Sequence, residues 1–242
     1  MHPTNAPKKP RIAIIGAGIA GAATAHALAH THTIDLYHHC KTHPPASHVP
    51  LAIPYLQPDS HDTPMRRYHL SAWHHAHRHY YQLRQQNPSV FTPCPIHAHA
   101  TNNKTKQRHQ QLANQTLLNP QHLSHHNHQL RYQQTGLLNP RALINTLLEH
   151  PNIRHHLYPI TQLKRHNHRW QIAHRLYDII ILATGWHTAL YPEPNLAHAI
   201  RPVRGQGTLL TLHHIPQTHR PHPQQNHHPL PQPTANLRRR QL

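Results

Sequence analysis

The stretch RIAIIGAGIAGAATAHALA, residues 11–29, constrains this chain more than any other. Residues 11–15 are an apolar run that suits a strand buried on both faces, and residues 22–29 an alanine-rich helix able to lie close to a sheet. Between them Gly16, Gly18 and Gly21 keep the spacing G-x-G-x-x-G. In such a turn the first glycine permits the tight reversal and the second lets a pyrophosphate approach the backbone. The third lets helix and strand pack closely, which aims the helix N-terminus at the phosphates. TIDLY, residues 33–37, reads as a second parallel strand, so the chain opens with a βαβ unit and a dinucleotide site is expected at its turn.

Such a site normally adds a carboxylate about 20 residues on, at the end of the second strand, to hold the ribose hydroxyls. Asp35 fits by counting but lies inside the strand, and the strand-end position falls at His38. An imidazole can bond one hydroxyl but lacks the acceptor pair of a carboxylate.

Further along, residues 64–86 place apolar and aromatic side chains at helical spacing and stop before Pro88. CPIHAHA (94–100) reads as a strand, and residues 104–118 as a polar helix. In residues 138–151 Asn139 is placed to cap a helix and Pro140 fits its first position, with Leu143, Leu147 and Leu148 on one face. IRHHLY, ITQLKRH, RWQIAH and YDIIILATG read as strands, the last ending at Gly185, and AIRPVRGQGTLLTL as one or two more. After about His213 the sequence turns to Pro, Gln and His with scarcely an apolar residue, which reads as disordered.

Charge narrows the partners. With 24 Lys and Arg against 6 Asp and Glu, a net +18, the chain attracts polyanions by counterion release, and its 35 histidines add charge on acidification. Nucleic acid is a natural partner, although such charge speaks to loose binding rather than to fold. Cys40 and Cys94 belong to no paired motif, so neither a disulfide framework nor a thiolate metal site is indicated, and a cytoplasmic location is the expectation. The leader lacks an apolar core and the first apolar stretch is broken by glycines, so no signal peptide or membrane span is expected. His75 and His79 are four apart, a spacing at which two imidazoles share a metal, but no carboxylate or thiolate adjoins them and no metal is expected.

Taken together, AIIGAGIAGAATAHALA, the AS…PYLQPDS…PMRRYHLSAW stretch, GLLNPRALINTLL, DIIILATG and RPVRGQGTLL make residues 11–214 resemble the FAD-dependent oxidase half of the bifunctional enzymes that modify the wobble uridine of tRNA. These lie within the wider D-amino-acid and glycine oxidase group. The resemblance implies an α/β fold: a Rossmann-like FAD-binding domain with an inserted, mostly antiparallel α+β substrate domain, incomplete at the C-terminus. It implies a flexible basic leader over 1–10, FAD-binding domain over 11–84 and 138–188, and the insertion over 85–137. Residues 189–214 would begin further substrate-domain strands, and 215–242 would be the disordered tail.

The implied reaction is oxidation of a carbon–nitrogen bond on a carboxymethylaminomethyl uridine, leaving the aminomethyl uridine and glyoxylate. FAD carries the hard chemistry, so the resemblance names no catalytic base. Gly16, Ala17, Gly18, Ile19, Ala20 and Gly21 match the diphosphate turn, and Ala183, Thr184 and Gly185 the strand end beside the cofactor. Arg204, Gly205 and Gln206 match a segment near the flavin ring, where Arg204 either pairs with a substrate carboxylate or is structural. Ala46 and Ser47 match the family's segment after the second strand, but the glycines that follow them there are missing, and His38 replaces the ribose-binding acid.

The partner implied is tRNA as substrate, and either the methyltransferase half is encoded separately or the chain is a free-standing oxidase. The low-complexity tail stands where the family has further strands, which makes a truncated or frame-shifted product the expectation. Two other readings stay open: a glycine- or D-amino-acid-oxidase-like enzyme acting on a small amine, and an inactive fragment that only binds polyanions or metal.

Overall fold

The computed structural model describes residues 9–38, 46–54, 56, 62–114, 123–126, 129–203 and 205. The opening unit is β1 (Ile12–Ile15), α1 (Ile19–Ala29) and β2 (Ile34–His38), with both strands buried almost throughout. The helix α2 (Pro64–Gln86) follows. Its start is set by Thr63, whose hydroxyl accepts from Arg66 N at 3.1 Å, and by Pro64 in the first turn, where no intrahelical partner is lost. It ends at Asn87, ahead of Pro88.

Next come β3 (Phe91–Pro93), β4 (Ile96–His99), α3 (Asn103–Asn114), β5 (Leu123–His126), β6 (Gln129–Tyr132) and β7 (Gly136–Leu138). They form two antiparallel sheets, β3 with β7 and β4–β6–β5. The helix α4 (Pro140–Leu148) is capped by Asn139, whose side chain accepts from Ala142 N at 3.1 Å. It leads into β8 (Ile153–Leu157), the antiparallel meander β9 (Lys164–His166), β10 (Arg169–Ile172) and β11 (Arg175–Tyr177), and finally β12 (Ile179–Leu182).

The central sheet has the order β12–β1–β2–β8, with every pair parallel. The chain steps outward from β1 through β2 to β8 and returns to the other side of β1 for β12. Order therefore reverses between β1 and β12, and the crevice beyond their carboxyl ends is where sheets of this kind bind ligands.

Alternation along the strands divides the core between two faces. Ile12, Ile14, Ile34, Leu36 and Ile153 face Ala25 and Ala29 of α1. Ala13, Ile15 and Tyr37 face the meander side, where Ile172 and Tyr177 of the meander, with Leu163 just before it and Tyr191 beyond β12, cover them. The stacking is thus helix, parallel sheet, antiparallel meander.

Two further clusters share α2. Near its start Leu70 and Trp73 pack with Leu56, Leu112, Leu130 and Tyr132. Towards its end Leu83 and Tyr80 pack with Val90, Phe91, Leu138, Leu143 and Leu147. Burying Leu83, Leu143 and Leu147 contributes about 1.5–3 kcal/mol each, so one helix ties the β4–β6–β5 sheet to α4. Among the described residues no helix is long and apolar enough to cross a membrane.

Helix α2 has the bounds expected from spacing. The helix expected over 138–151 is shorter, because Leu138 is drawn into β7, where it pairs with Phe91, and because Glu149 caps the C-terminus. The polar helix expected over 104–118 runs from Asn103 to Asn114, and residues 115–118 lie outside the described residues. The strand expected from Ala199 has no regular structure over residues 200–203, and apart from Gly205 the rest of that expectation, like the tail, lies outside the described residues.

Candidate functional site

The glycine turn sits at the carboxyl end of β1, against β12. Gly16 holds φ +107°, a backbone that side-chain-bearing residues rarely adopt, and a Cβ there would lie 2.4 Å from the carbonyl oxygen of Ala183. Its amide donates to Tyr37 O at 2.8 Å, and Ala183 N donates to Ile15 O at 2.8 Å. The turn is thereby clamped between β2 and the end of β12.

Gly21 answers a different need. A Cβ on it would stand 1.8 Å from Gly16 O and 3.3 Å from Ala183 Cβ, so only a glycine lets α1 come this close to the turn. Gly18 is unlike both. It caps α1 with extended backbone, φ −72° and ψ −177°, and among the described residues a Cβ on it would meet only Ser47 Oγ, at 3.3 Å. Its surface is thus free for a ligand, as a pyrophosphate passing the backbone requires.

The first turn of α1 carries no acidic residue, so the positive end of its dipole, about half an elementary charge, is uncompensated by the helix itself. One of its orphan amides, Ile19 N, donates to Ser47 Oγ at 3.0 Å. Ser47 belongs to a short 3₁₀ turn, Ala46–His48, which the fold brings onto the helix N-terminus. Ala46 itself is exposed, Ala17 and Ile19 are half-buried in the turn, and Ala20 is exposed on the first turn of α1.

Across the crevice Ala183 and Thr184 follow β12, and Thr184 leads into a 3₁₀ turn, Gly185–Leu190, with its hydroxyl 2.9 Å from that of Thr188. Gly185 has φ +61°, and no described residue lies within 4 Å of its Cβ position. The structure thus gathers Gly16–Gly21, Ser47 and Ala183 at one end of β1. Gly205 is exposed in irregular chain, and Arg204 and Gln206 lie outside the described residues.

His38 is the last residue of β2, the place the ribose acid takes in such folds. Its ring lies 6.0 Å from that of His155 in β8, and burial, with the neighbouring imidazole, lowers its pKa below the ordinary histidine value. Asp35 is excluded from that role by its partners. It points to the opposite layer, where Tyr177 Oη donates to Oδ2 at 2.9 Å and His156 Nε2 to Oδ1 at 2.7 Å, with Arg175 Nη1 3.5 Å away.

Tyr37 Oη adds a 2.7 Å bond to Tyr177 Oη. Burial first, then its hydrogen bonds with Tyr37 and with Asp35, push the Tyr177 phenol well above its ordinary pKa. This network was not read from the sequence, although strand alternation places Asp35 and Tyr37 on one face, and a carboxylate inside a buried strand requires partners.

The expected His75–His79 pair stacks with ring centroids 6.4 Å apart on α2. His79 also lies 5.7 Å from His26 of α1, whose Nδ1 is 3.0 Å from Leu147 O of α4, so imidazoles line the junction of three helices.

Comparison with known proteins places this geometry. A family profile described as "FAD dependent oxidoreductase" matches residues 11–238, beyond the point where apolar patterning thins. The tRNA 5-methylaminomethyl-2-thiouridine biosynthesis bifunctional protein MnmC of Dichelobacter nodosus is 35% identical over 201 residues, 83% of this chain and 32% of that protein. The protein of the same name from Hahella chejuensis is 28% identical over 237 residues, 87% of this chain and 38% of its own length. The chain spans about a third of the length of these curated relatives.

Among solved structures, glycine oxidase from Bacillus cereus superposes with a TM-score of 0.57 at 15% identity, covering 78% of this chain and 58% of that one. Iminodiacetate oxidase from Chelativorans sp. BNC1 superposes with the same TM-score and identity over 74% of this chain and 56% of its own. These two likenesses concern the fold.

Proposed function

Because this chain belongs to the FAD-dependent oxidoreductase family, we propose that it oxidises a carbon–nitrogen bond, its substrate being the carboxymethylaminomethyl group of 5-carboxymethylaminomethyl-2-thiouridine at the tRNA wobble position. One observation carries the cofactor half of the reading: a Cβ-free cradle at Gly18, beside the uncompensated N-terminus of α1, at the point where strand order reverses. The residues present fit the dinucleotide.

In this reading Gly16 and Gly21 shape the turn. Gly18 admits the diphosphate, and the amides of Ala17, Gly18 and Ala20 serve it, that of Ile19 being held by Ser47 Oγ. Ser47 places a hydroxyl at the same end of α1, and Ala46 carries the chain past it. Ala183, Thr184 and Gly185 form the opposite wall of the crevice, and His38 meets the ribose with a single hydrogen bond. The resemblance assigns Arg204, Gly205 and Gln206 to the segment near the flavin ring, with Arg204 either the partner of the substrate carboxylate or a structural residue.

Bound FAD supplies the two-electron acceptor for the carbon–nitrogen oxidation, after which water divides the product into the aminomethyl uridine and glyoxylate. The tRNA substrate is supported by the two relatives' names and by a net charge of +18.

The test is to add FAD to the purified chain, desalt it and record the visible spectrum, then supply tRNA carrying the carboxymethylaminomethyl nucleoside. Retained flavin bands and loss of the carboxymethyl group in nucleoside analysis are expected. Absence of retained flavin would overturn the reading. Flavin bleached by free glycine-like amines and not by the tRNA would move the substrate to a small amine.

A further inference from the structure

Among the described residues the β4–β6–β5 sheet has one face covered by helices and one that nothing packs against, on which His97, His99 and Arg131 are exposed. Ile96, Ala98, Leu123, Leu130 and Tyr132 point inward to Leu112 of α3 and to Leu70 and Trp73 of α2. The alternate residues point the other way, and the register sets them in cross-strand rows: His97 opposite Arg131 opposite Ser124, then His99 opposite Gln129. His97, His99 and Arg131 are exposed, and His97 Nδ1 lies 3.4 Å from Gln129 Oε1, so one row is tied to the next. Residues two apart on a strand stand about 6.5 Å from each other, and cross-strand neighbours about 5 Å.

The chemistry of this face is one-sided. From Thr63 to Leu148 the chain contains nine Lys and Arg and no Asp or Glu. A polyanion approaching this part of the molecule therefore meets no carboxylate from that stretch. Planar side chains in neighbouring rows of a sheet add something that charge alone does not. Imidazoles and a guanidinium stack on nucleobases, and RNA bases are open to stacking in single-stranded loops rather than in duplexes.

We propose that the bare face of the β4–β6–β5 sheet is a docking platform for a single-stranded RNA loop, with His97 and His99 as stacking surfaces and Arg131 contacting phosphate or base. The proposal deepens the tRNA reading above and rests on it. It assigns the loop around the modified nucleotide to this face.

The experiment uses the full chain and a fluorescent 17-nucleotide stem-loop with unmodified bases, against a duplex of the same length. Anisotropy titrations are run at about pH 8, where an ordinary imidazole is neutral, and at several salt concentrations. The loop is expected to bind more tightly than the duplex. The double variant H97A/H99A weakens loop binding about tenfold or more while duplex binding holds.

R131Q lowers the salt dependence by about one released counterion. R165Q, in the meander, serves as the charge-matched control and leaves loop binding in place. Far-UV circular dichroism confirms that each variant is folded.

Equal affinity for loop and duplex, equal losses for both in H97A/H99A, or competition by polyglutamate as effective as by the loop would overturn the proposal in favour of general polyanion binding. The stem-loop needs no turnover, so the two readings fail separately. A chain that retains flavin and oxidises a free amine but binds the loop no better than the duplex refutes the platform alone. A chain that binds the loop through these residues but holds no flavin supports the platform and refutes the oxidase reading.

Discussion

Gly21→Ala sets two physical effects against each other. Helix propensity favours alanine over glycine by about 0.8–1.0 kcal/mol inside a helix. The structure opposes this, because the new Cβ would lie 1.8 Å from Gly16 O and 2.9 Å from Gly16 C, both backbone atoms with no rotamer to turn away. Restoring ordinary contact needs a shift of more than 1 Å in α1, whose buried Ala22, Ala25 and Ala29 fix its distance from the sheet.

Overpacking of this kind costs about 1–3 kcal/mol, and a clash with immovable backbone belongs at the top of that range. The net is a loss of about 2 kcal/mol, or about 4–8 °C in Tm for a chain of this size. Gly18→Ala is the internal contrast. Among the described residues its Cβ meets only the end of a serine side chain, at 3.3 Å, and its φ of −72° suits alanine. The expected change in Tm is small while retained FAD falls, since the Cβ enters the space the diphosphate would use. Urea unfolding followed by circular dichroism, with flavin absorbance after desalting, separates the two. A Gly21→Ala variant as stable as its parent would refute the close-packing argument.

Tyr177→Phe leaves one oxygen of the buried Asp35 and the hydroxyl of Tyr37 without their partner; it should cost about 1–3 kcal/mol of unfolding free energy by denaturant titration. His38→Glu restores a carboxylate at the end of β2, and FAD should be held about tenfold more tightly in equilibrium dialysis; unchanged affinity would place the ribose elsewhere. Burial, then His26 and His75, depress the pKa of His79, opposed by a bond to Gln82. Its folded pKa lies below the unfolded value, so its stabilising contribution is present above about pH 6.5 and is lost as pH falls below that. Thermal melts across this window should show a decline that His79→Gln makes shallower.

The parts of the fold that could be read from the sequence are those in which local pattern and tertiary need coincide. The βαβ unit was readable because an apolar run, three glycines and an alanine-rich helix each have one economical use, whereas the pairing of β1 with β12 and the register of both pairs came only from the structure. The cap at Asn139 was readable from side-chain chemistry acting within three residues, and the same chemistry at Thr63, not read from the sequence, starts α2. Strands β3 and β7 were hidden, since three residues carry no period and their pairing joins positions more than forty apart.

Within the site the same division holds. The glycines announce themselves, whereas the carbonyl of Tyr37 that receives Gly16 N leaves no mark on side-chain identity. Asp35 teaches the sharper lesson. Counting residues from the glycines offers it to a ribose, but parity along a buried strand sends its side chain to the opposite layer, where a phenol and an imidazole already hold both oxygens. A strand position has a face as well as a number, and at the crossover of a parallel sheet the face decides whether an acid binds a cofactor or holds two layers together.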